Sequence, residues 1–353
     1  MEHRELEVLN LNILVTGGAG FIGSNFLLMM VDRYPNDRFI NVDALTYAGN
    51  IKNLISVKDK ENYCFYRADI VDRNALDSIF QSEEPQAVVH FAAESHVDRS
   101  ITNPAVFAET NVQGTINLLD MARKYGISRY VQVSTDEVYG SLGSEGYFLE
   151  ETPLQPNSPY SASKSAADMF VRANVETYGL NASITRCSNN YGAYQFPEKL
   201  IPLMIWHALE DKPLPVYGDG LNIRDWLYVE DHCQAIDLVL REGKIGEVYN
   251  IGGNNERTNI EIIKHILKLL CKPDNLISYV KDRPGHDRRY AIDAGKIKRE
   301  LGWEPATSFS HGMEQTVRWY LENESWWREI LNGQYLGYYE KMYKKRESML
   351  ANL

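Results

Sequence analysis

Tyr160 and Lys164 stand four positions apart, the spacing that puts two side chains on one face of a helix. An ammonium beside a phenol favours the phenolate, and a positively charged nicotinamide nearby would add to the effect, so this pair predicts a Tyr160 base. Upstream, Ser134 and Thr135 end an apolar run and offer hydroxyls, and Asp136 and Glu137 follow at once. Adjacent acids on a loop are most often merely solvated. Beside a Tyr–Lys pair they could act as general acid and general base, provided their surroundings push their pKa values apart. The other chemistry-bearing residues are plainer. Cys64, Cys187, Cys233 and Cys271 lack any metal or redox spacing and fit reduced thiols of a cytoplasmic protein. His207, His232, His265 and His311 stand singly, without a second ligand at a supporting spacing, so no metal is expected.

These groups need a scaffold, and the first half of the chain supplies its pattern. Residues 11–16 read as a buried strand that runs into Thr16-Gly17-Gly18-Ala19-Gly20-Phe21-Ile22-Gly23, with a helix following to Tyr34. Glycines at this junction let the backbone turn tightly against a pyrophosphate, whose charge rests on the first helical amides. Asp43 ends the next strand, 39–43, where a carboxylate accepts hydrogen bonds from ribose hydroxyls and repels a 2′-phosphate, which predicts NAD rather than NADP. Further strands are expected at 63–70, 87–93, 130–134 and 182–187, with helices at 105–125 and 161–178. This alternation predicts an α/β fold, a Rossmann-type doubly wound parallel sheet, with ligands at the carboxyl ends of its strands.

After about Ser188 the texture changes. Segments 196–202 and 212–218 are rich in Pro and aromatic residues and are expected to be loops lining a cleft, 282–289 is charged and broken by Pro-Gly, and 326–353 reads as an amphipathic terminal helix. Residues 1–188 are therefore assigned to the dinucleotide domain, completed by segments near 222–250 and 305–322, and 189–353 mainly to a smaller substrate-binding α/β lobe. The length of 353 residues suits two lobes, and the formal charge of −11 argues against a nucleic-acid surface. No apolar stretch approaches the ~20 residues of a membrane helix, and residues 1–10 have no apolar core of a signal peptide.

Together Thr135, Tyr160 and Lys164 resemble the catalytic trio of extended short-chain dehydrogenases/reductases. The Ser134-Thr135-Asp136-Glu137-Val138-Tyr139-Gly140 run narrows this, since it is similar to the nucleotide-sugar 4,6-dehydratases. Segments 90–100 (HFAAESHVDRS), 185–192 (TRCSNNYG), 224–229 (RDWLYV) and 282–290 (DRPGHDRRY) extend the resemblance to the dTDP-glucose 4,6-dehydratase family over nearly the whole chain. Ala44 stands where many members carry Lys.

The resemblance implies a reaction and its residues. C4 of the sugar is oxidised by NAD+, water is eliminated across C5–C6, and the hydride returns to C6, giving dTDP-4-keto-6-deoxyglucose for deoxysugar synthesis of the dTDP-rhamnose type. Tyr160 would take the 4-hydroxyl proton with Thr135 bonded to the same oxygen, Glu137 the C5 proton, and Asp136 would protonate the leaving hydroxyl. Asp69 and Ile70 would flank the adenine, with Gly17, Gly20, Phe21, Ile22, Gly23, Asp43, Leu45, Thr46, Ala92, Ala93, Ser95, Thr110 and Asn190 completing the cofactor site. Substrate contacts carried over are Ser95, Thr135, Asn189, Lys199, Leu200, Pro215, Val216, Tyr217, Arg224, Asn259, Arg283 and His286. A tightly held NAD regenerated in each cycle, and a homodimer through helices 105–125 and 161–178, are implied in the same way. A UDP-hexose 4-epimerase is the nearest alternative, but it needs no acid–base pair at C5 and C6. A catalytically silent dinucleotide-binding scaffold would have no use for an intact trio.

Overall fold

The structure is a computed structural model, and it describes residues 10–282 and 286–332. Its first half alternates β1 (Asn12–Thr16), α1 (Phe21–Arg33), β2 (Arg38–Asp43), β3 (Tyr63–Arg67), α2 (Arg73–Glu83) and β4 (Ala87–His90). There follow the short α3 (Val97–Thr102) and α4 (Pro104–Phe107), then α5 (Gly114–Lys124), β5 (Arg129–Thr135), α6 (Pro159–Tyr178) and β6 (Ala182–Cys187). Within the expected 105–125 helix, Ala108–Gln113 winds as a π-helical turn between α4 and α5. Beyond β6 come β7 (Asn189–Tyr191), α7 (Leu200–Leu209), β8 (Leu214–Tyr217), β9 (Ile223–Tyr228), α8 (Val229–Glu242) and β10 (Val248–Ile251). The chain closes with β11 (Glu256–Thr258), α9 (Asn259–Leu269), β12 (Ile277–Val280), α10 (Gly295–Leu301), α11 (Phe309–Glu322) and α12 (Glu324–Ile330).

Seven strands form one sheet in the order β10-β6-β5-β4-β1-β2-β3, every pair parallel. Such a sheet is covered on both faces, so its strands are apolar on both sides. In β1, Ile13 and Val15 pack on one face with Phe26, Met30 and Ile236, whereas Leu14 packs on the other with Ile79, Phe80 and Leu118. The chain reverses its direction of winding between β1 and β4, and a crevice opens there at the strands' carboxyl ends.

The second lobe has its own core, built from α7, α9, α11 and α12 around Ile205, Ile263, Met313 and Trp327, with the small sheets β11-β9-β7 and β12-β8 beside it. Three expectations need correction. Segment 305–322 does not complete the large sheet, because Phe309, Met313, Val317 and Tyr320 form a helical stripe buried in the second lobe's core; α10 and Trp303 cover the sheet instead. Segment 196–202 is not all loop: α7 starts at Leu200, and Pro202 is tolerated in its first turn, where an N–H has no helical partner. Segment 212–218 contains β8, in which Pro215 is admitted because the strand pairs with β12 alone. The terminal helix is seen as α12, and the rest of the tail lies outside the described residues. Among the described residues no helix is long and apolar enough to cross a membrane.

Candidate active site

The crevice is lined by residues that leave successive strands of the large sheet. Gly17, Gly20, Phe21, Ile22 and Gly23 follow β1, Asp43 and Thr46 follow β2, and Asp69 and Ile70 follow β3. Ala92, Ala93 and Ser95 follow β4, Thr110 comes from the π-helical turn, and Thr135, Asp136 and Glu137 follow β5. Tyr160 and Lys164 enter from α6, and Asn189, Asn190 and Lys199 from the start of the second lobe.

At the glycine turn the backbone has no room for side chains. Gly17 has φ +71°, and a Cβ on it would lie 2.6 Å from the Ala92 nitrogen; one on Gly23 would lie 2.3 Å from the Gly17 carbonyl oxygen. The turn thus presses against the loop after β4 and against its own helix, the close approach that a pyrophosphate cradle requires. Asp43 is fixed at the end of β2 by N–H groups of Ala19 (2.9 Å, to Oδ2) and Leu45 (2.8 Å, to Oδ1). Burial pushes its pKa up, against the two N–H donors. A buried carboxylate at this position, with a glycine cradle before it, fits an adenosine ribose bearing free hydroxyls.

The catalytic candidates are held by α6 and β5. Ser158 caps α6 in a reciprocal box with Ser161, Pro159 occupies the first turn, and Gly179 ends the helix at φ +68°. Tyr160 and Lys164 are both buried on the face that meets β5. Lys164 Nζ donates to the Val133 carbonyl at 2.7 Å. Thr135 Oγ1 donates to Asp136 Oδ1 at 3.3 Å and accepts from the Glu137 N–H at 3.2 Å, capping the 3-10 turn that carries both acids. The Thr135 hydroxyl also bonds the Tyr160 phenol.

The two acids meet unlike surroundings. Asp136 is 2 % exposed and its Oδ2 has no hydrogen-bond partner among the described residues, whereas Glu137 is half-buried. Burial first, then repulsion from Glu137 and Asp225, holds the Asp136 carboxyl well above the ordinary range and so protonated, although Arg224 opposes this. The Tyr160 phenol departs from expectation. Burial and then the Glu137 charge hold it well above its usual value, with the Thr135 hydroxyl opposing them, while the Lys164 ammonium is engaged with the Val133 carbonyl. Burial lowers the pKa of Lys164 itself, against the favourable charge of Asp168 one turn along α6.

Several carried-over residues stand elsewhere. Leu45 does not line the crevice; it contributes its N–H to Asp43 from a backbone at φ +52°. Leu200, Pro215, Val216, Tyr217, Arg224, Asn259 and His286 are also not in its lining, and Arg283 lies outside the described residues. Val216 is core, and Asn259 opens α9. Tyr217 packs edge-on against His286 and donates to Asp98 Oδ2 at 3.3 Å, while the Arg224 guanidinium lies over the Tyr290 ring, 4.2 Å from its centroid. Conversely, sequence reasoning missed Glu198, buried in the crevice wall with Oε2 3.4 Å from Arg99 Nε, and Tyr290, whose phenol feels the Glu137 charge. The Glu198–Lys199 pair and the aromatic residue closing the 282–290 motif were the available signals.

The crevice can be compared with known proteins. The GDP-mannose 4,6 dehydratase family model matches residues 14–316. A dTDP-glucose 4,6-dehydratase of Neisseria meningitidis is 53% identical over 344 residues, covering 92% of this chain and 97% of that protein. The chain belongs to the dTDP-glucose 4,6-dehydratase family. The fold agrees with solved structures of dTDP-glucose 4,6-dehydratases. One from Bacillus anthracis, in complex with NAD, superposes with a TM-score of 0.86 at 55% identity, covering 91% of this chain and 99% of that one. DesIV of Streptomyces venezuelae, with NAD and TYD bound, gives 0.88 at 51%, covering 91% and 100%.

Proposed function

We propose that the chain dehydrates dTDP-glucose to dTDP-4-keto-6-deoxyglucose, as an NAD-dependent hydro-lyase of deoxysugar synthesis. The observation that carries the reading is a fully buried Asp136 carboxyl, its pKa pushed up by that burial, next to a half-buried Glu137, both within the crevice of the glycine turn and Tyr160. NAD+, when bound along the glycine turn and Asp43, supplies an acceptor for the C4 hydride and later its donor to C6. Tyr160 takes the proton of the 4-hydroxyl, and the Thr135 hydroxyl steadies the same oxygen. A 4-keto group acidifies C5, whose proton Glu137 then removes. Asp136 gives its proton to the departing C6 hydroxyl, a role that suits an acid kept neutral by burial, and when the hydride has reached C6 the proton held by Glu137 returns to C5. Because Tyr160 is held protonated in the protein alone, its action as a base depends on positive charge brought by the cofactor. An epimerase would leave the Asp136 proton without work.

The lobe after Ser188 would hold the nucleoside diphosphate, with Lys199 in the crevice and Tyr217, Arg224 and His286 beyond it. The outer faces of α4–α6 would form a homodimer interface: Met169, Phe170 and Tyr178 are exposed on α6. Four free cysteines, two of them buried, support work in the cytoplasm. The deciding experiment is incubation of purified protein with dTDP-glucose. The product should weigh one water less than the substrate, with NAD retained through purification; unchanged mass would mean epimerisation and defeat the reading.

A further inference from the structure

The loop between β2 and β3 supplies Thr46, Ala48 and Gly49 to the crevice, on the side of Asp43. The loop meets the other lobe at the Tyr47 ring, edge-on to Phe196 with centroids 5.7 Å apart, and is tied to it further along by a buried amide. Asn53, 2 % exposed, donates from Nδ2 to the Ala19 carbonyl in the glycine turn at 3.0 Å. Its Oδ1 accepts from Trp326 Nε1 of α12 at 2.8 Å. Ala19 is itself pinned by the Asn50 N–H on its carbonyl and by Asp43 on its own N–H, each at 2.9 Å. At the far end α12 is anchored: Trp327 is buried in the second lobe's core and donates to the Tyr320 carbonyl at 3.0 Å, while Trp326 packs on Trp319 with centroids 5.1 Å apart. The exposed Lys52–Glu329 pair runs parallel and adds little.

We infer that α12 is a strap between the lobes, with Trp326 and Asn53 as positioning residues that keep the dinucleotide from dissociating between turnovers. The inference rests on the NAD reading above. Cofactor that escaped while it carried the sugar's hydride would strand the reaction at the ketone, so slow release matters more here than in an enzyme that exchanges its cofactor in each cycle. Raising the loop leaves both ends of a buried amide unpaired. Loss of one such partner corresponds to roughly ten- to a hundredfold in an equilibrium.

The test is Trp326→Phe, which deletes the N–H and keeps an aromatic ring against Trp319, at the cost of part of the indole. NADH is loaded onto wild type and variant, and its release is followed by fluorescence on chasing with excess NAD+. The variant should release it roughly ten- to a hundredfold faster and lose dinucleotide on gel filtration. Its kcat at saturating NAD+ should be unchanged, since Trp326 does not line the crevice. Equal release rates overturn the strap. A wild type that takes up no NADH overturns the dinucleotide reading as well, and so separates the two failures. Should Trp326→Phe not fold, hydrogen exchange on the wild type decides: removal of dinucleotide should unprotect 45–54 and 324–330 together, and protection lost at the loop alone refutes the coupling.

Discussion

Asp136 and Glu137 are neighbours in the chain with different fates in the fold, and the difference can be read by substitution. Asp136→Asn keeps the shape and removes the transferable proton. Oxidation at C4 should survive, seen as reduced cofactor in a single turnover, while water loss falls by roughly a hundred- to ten-thousandfold. Unimpaired turnover would defeat the acid assignment. The same substitution has a stability signature. The folded chain retains a proton that the unfolded chain gives up near pH 4, so wild-type stability declines as pH rises above that point until the raised folded pKa is reached. Asp136→Asn should therefore raise Tm at pH 8, with the advantage vanishing below about pH 4; a constant offset across that range would contradict it. At this scale residue types and spacing singled out Thr135, Asp136, Glu137, Tyr160 and Lys164, which the fold brings to one crevice. Hidden from them was where each polar atom finds its partner: the Val133 carbonyl that holds Lys164, or the Arg99 that faces Glu198, comes from another strand or helix.

Among the elements, α6 is the one whose ends matter most to chemistry. Its cap is two residues before Tyr160, so Ser158→Ala removes the side-chain acceptor of the Ser161 N–H and frees the first turn. A cost of about 1 kcal/mol in chemical denaturation is expected, with a few-fold loss of turnover from a less fixed phenol. Full activity at reduced stability would separate the cap from the chemistry. Strands and helices of the large sheet were legible because each carries a period, continuous for buried strands and helical between them. β8 and the start of α7 were not, because prolines mask such short elements. What permits them, an edge position for Pro215 and a first-turn position for Pro202, is a tertiary and positional fact that composition does not encode. The placement of α11 failed for a related reason: its apolar stripe says that it is buried, not which core receives it.

On the whole-molecule scale, the outer surface of α6 predicts self-association. Phe170→Glu puts a charge on an exposed apolar site, 41 % accessible in the isolated chain. Sedimentation should show a dimer for wild type and a shift towards monomer for the variant; a monomeric wild type at micromolar concentration would refute the interface. The two lobes differ in what they contribute. One offers the cradle and reacting groups at the mouth of a rigid sheet, and the other closes over them with shorter, Pro-interrupted pieces. Thr135 ends β5, the acid pair continues directly from it, and the oxygen gripping Lys164 is two residues earlier on the same strand. A single ruler thus sets the distances among the Thr135 hydroxyl, the two acids and the oxygen that anchors Lys164. Any shift of the far lobe would leave those groups in calibration, ready for the next molecule.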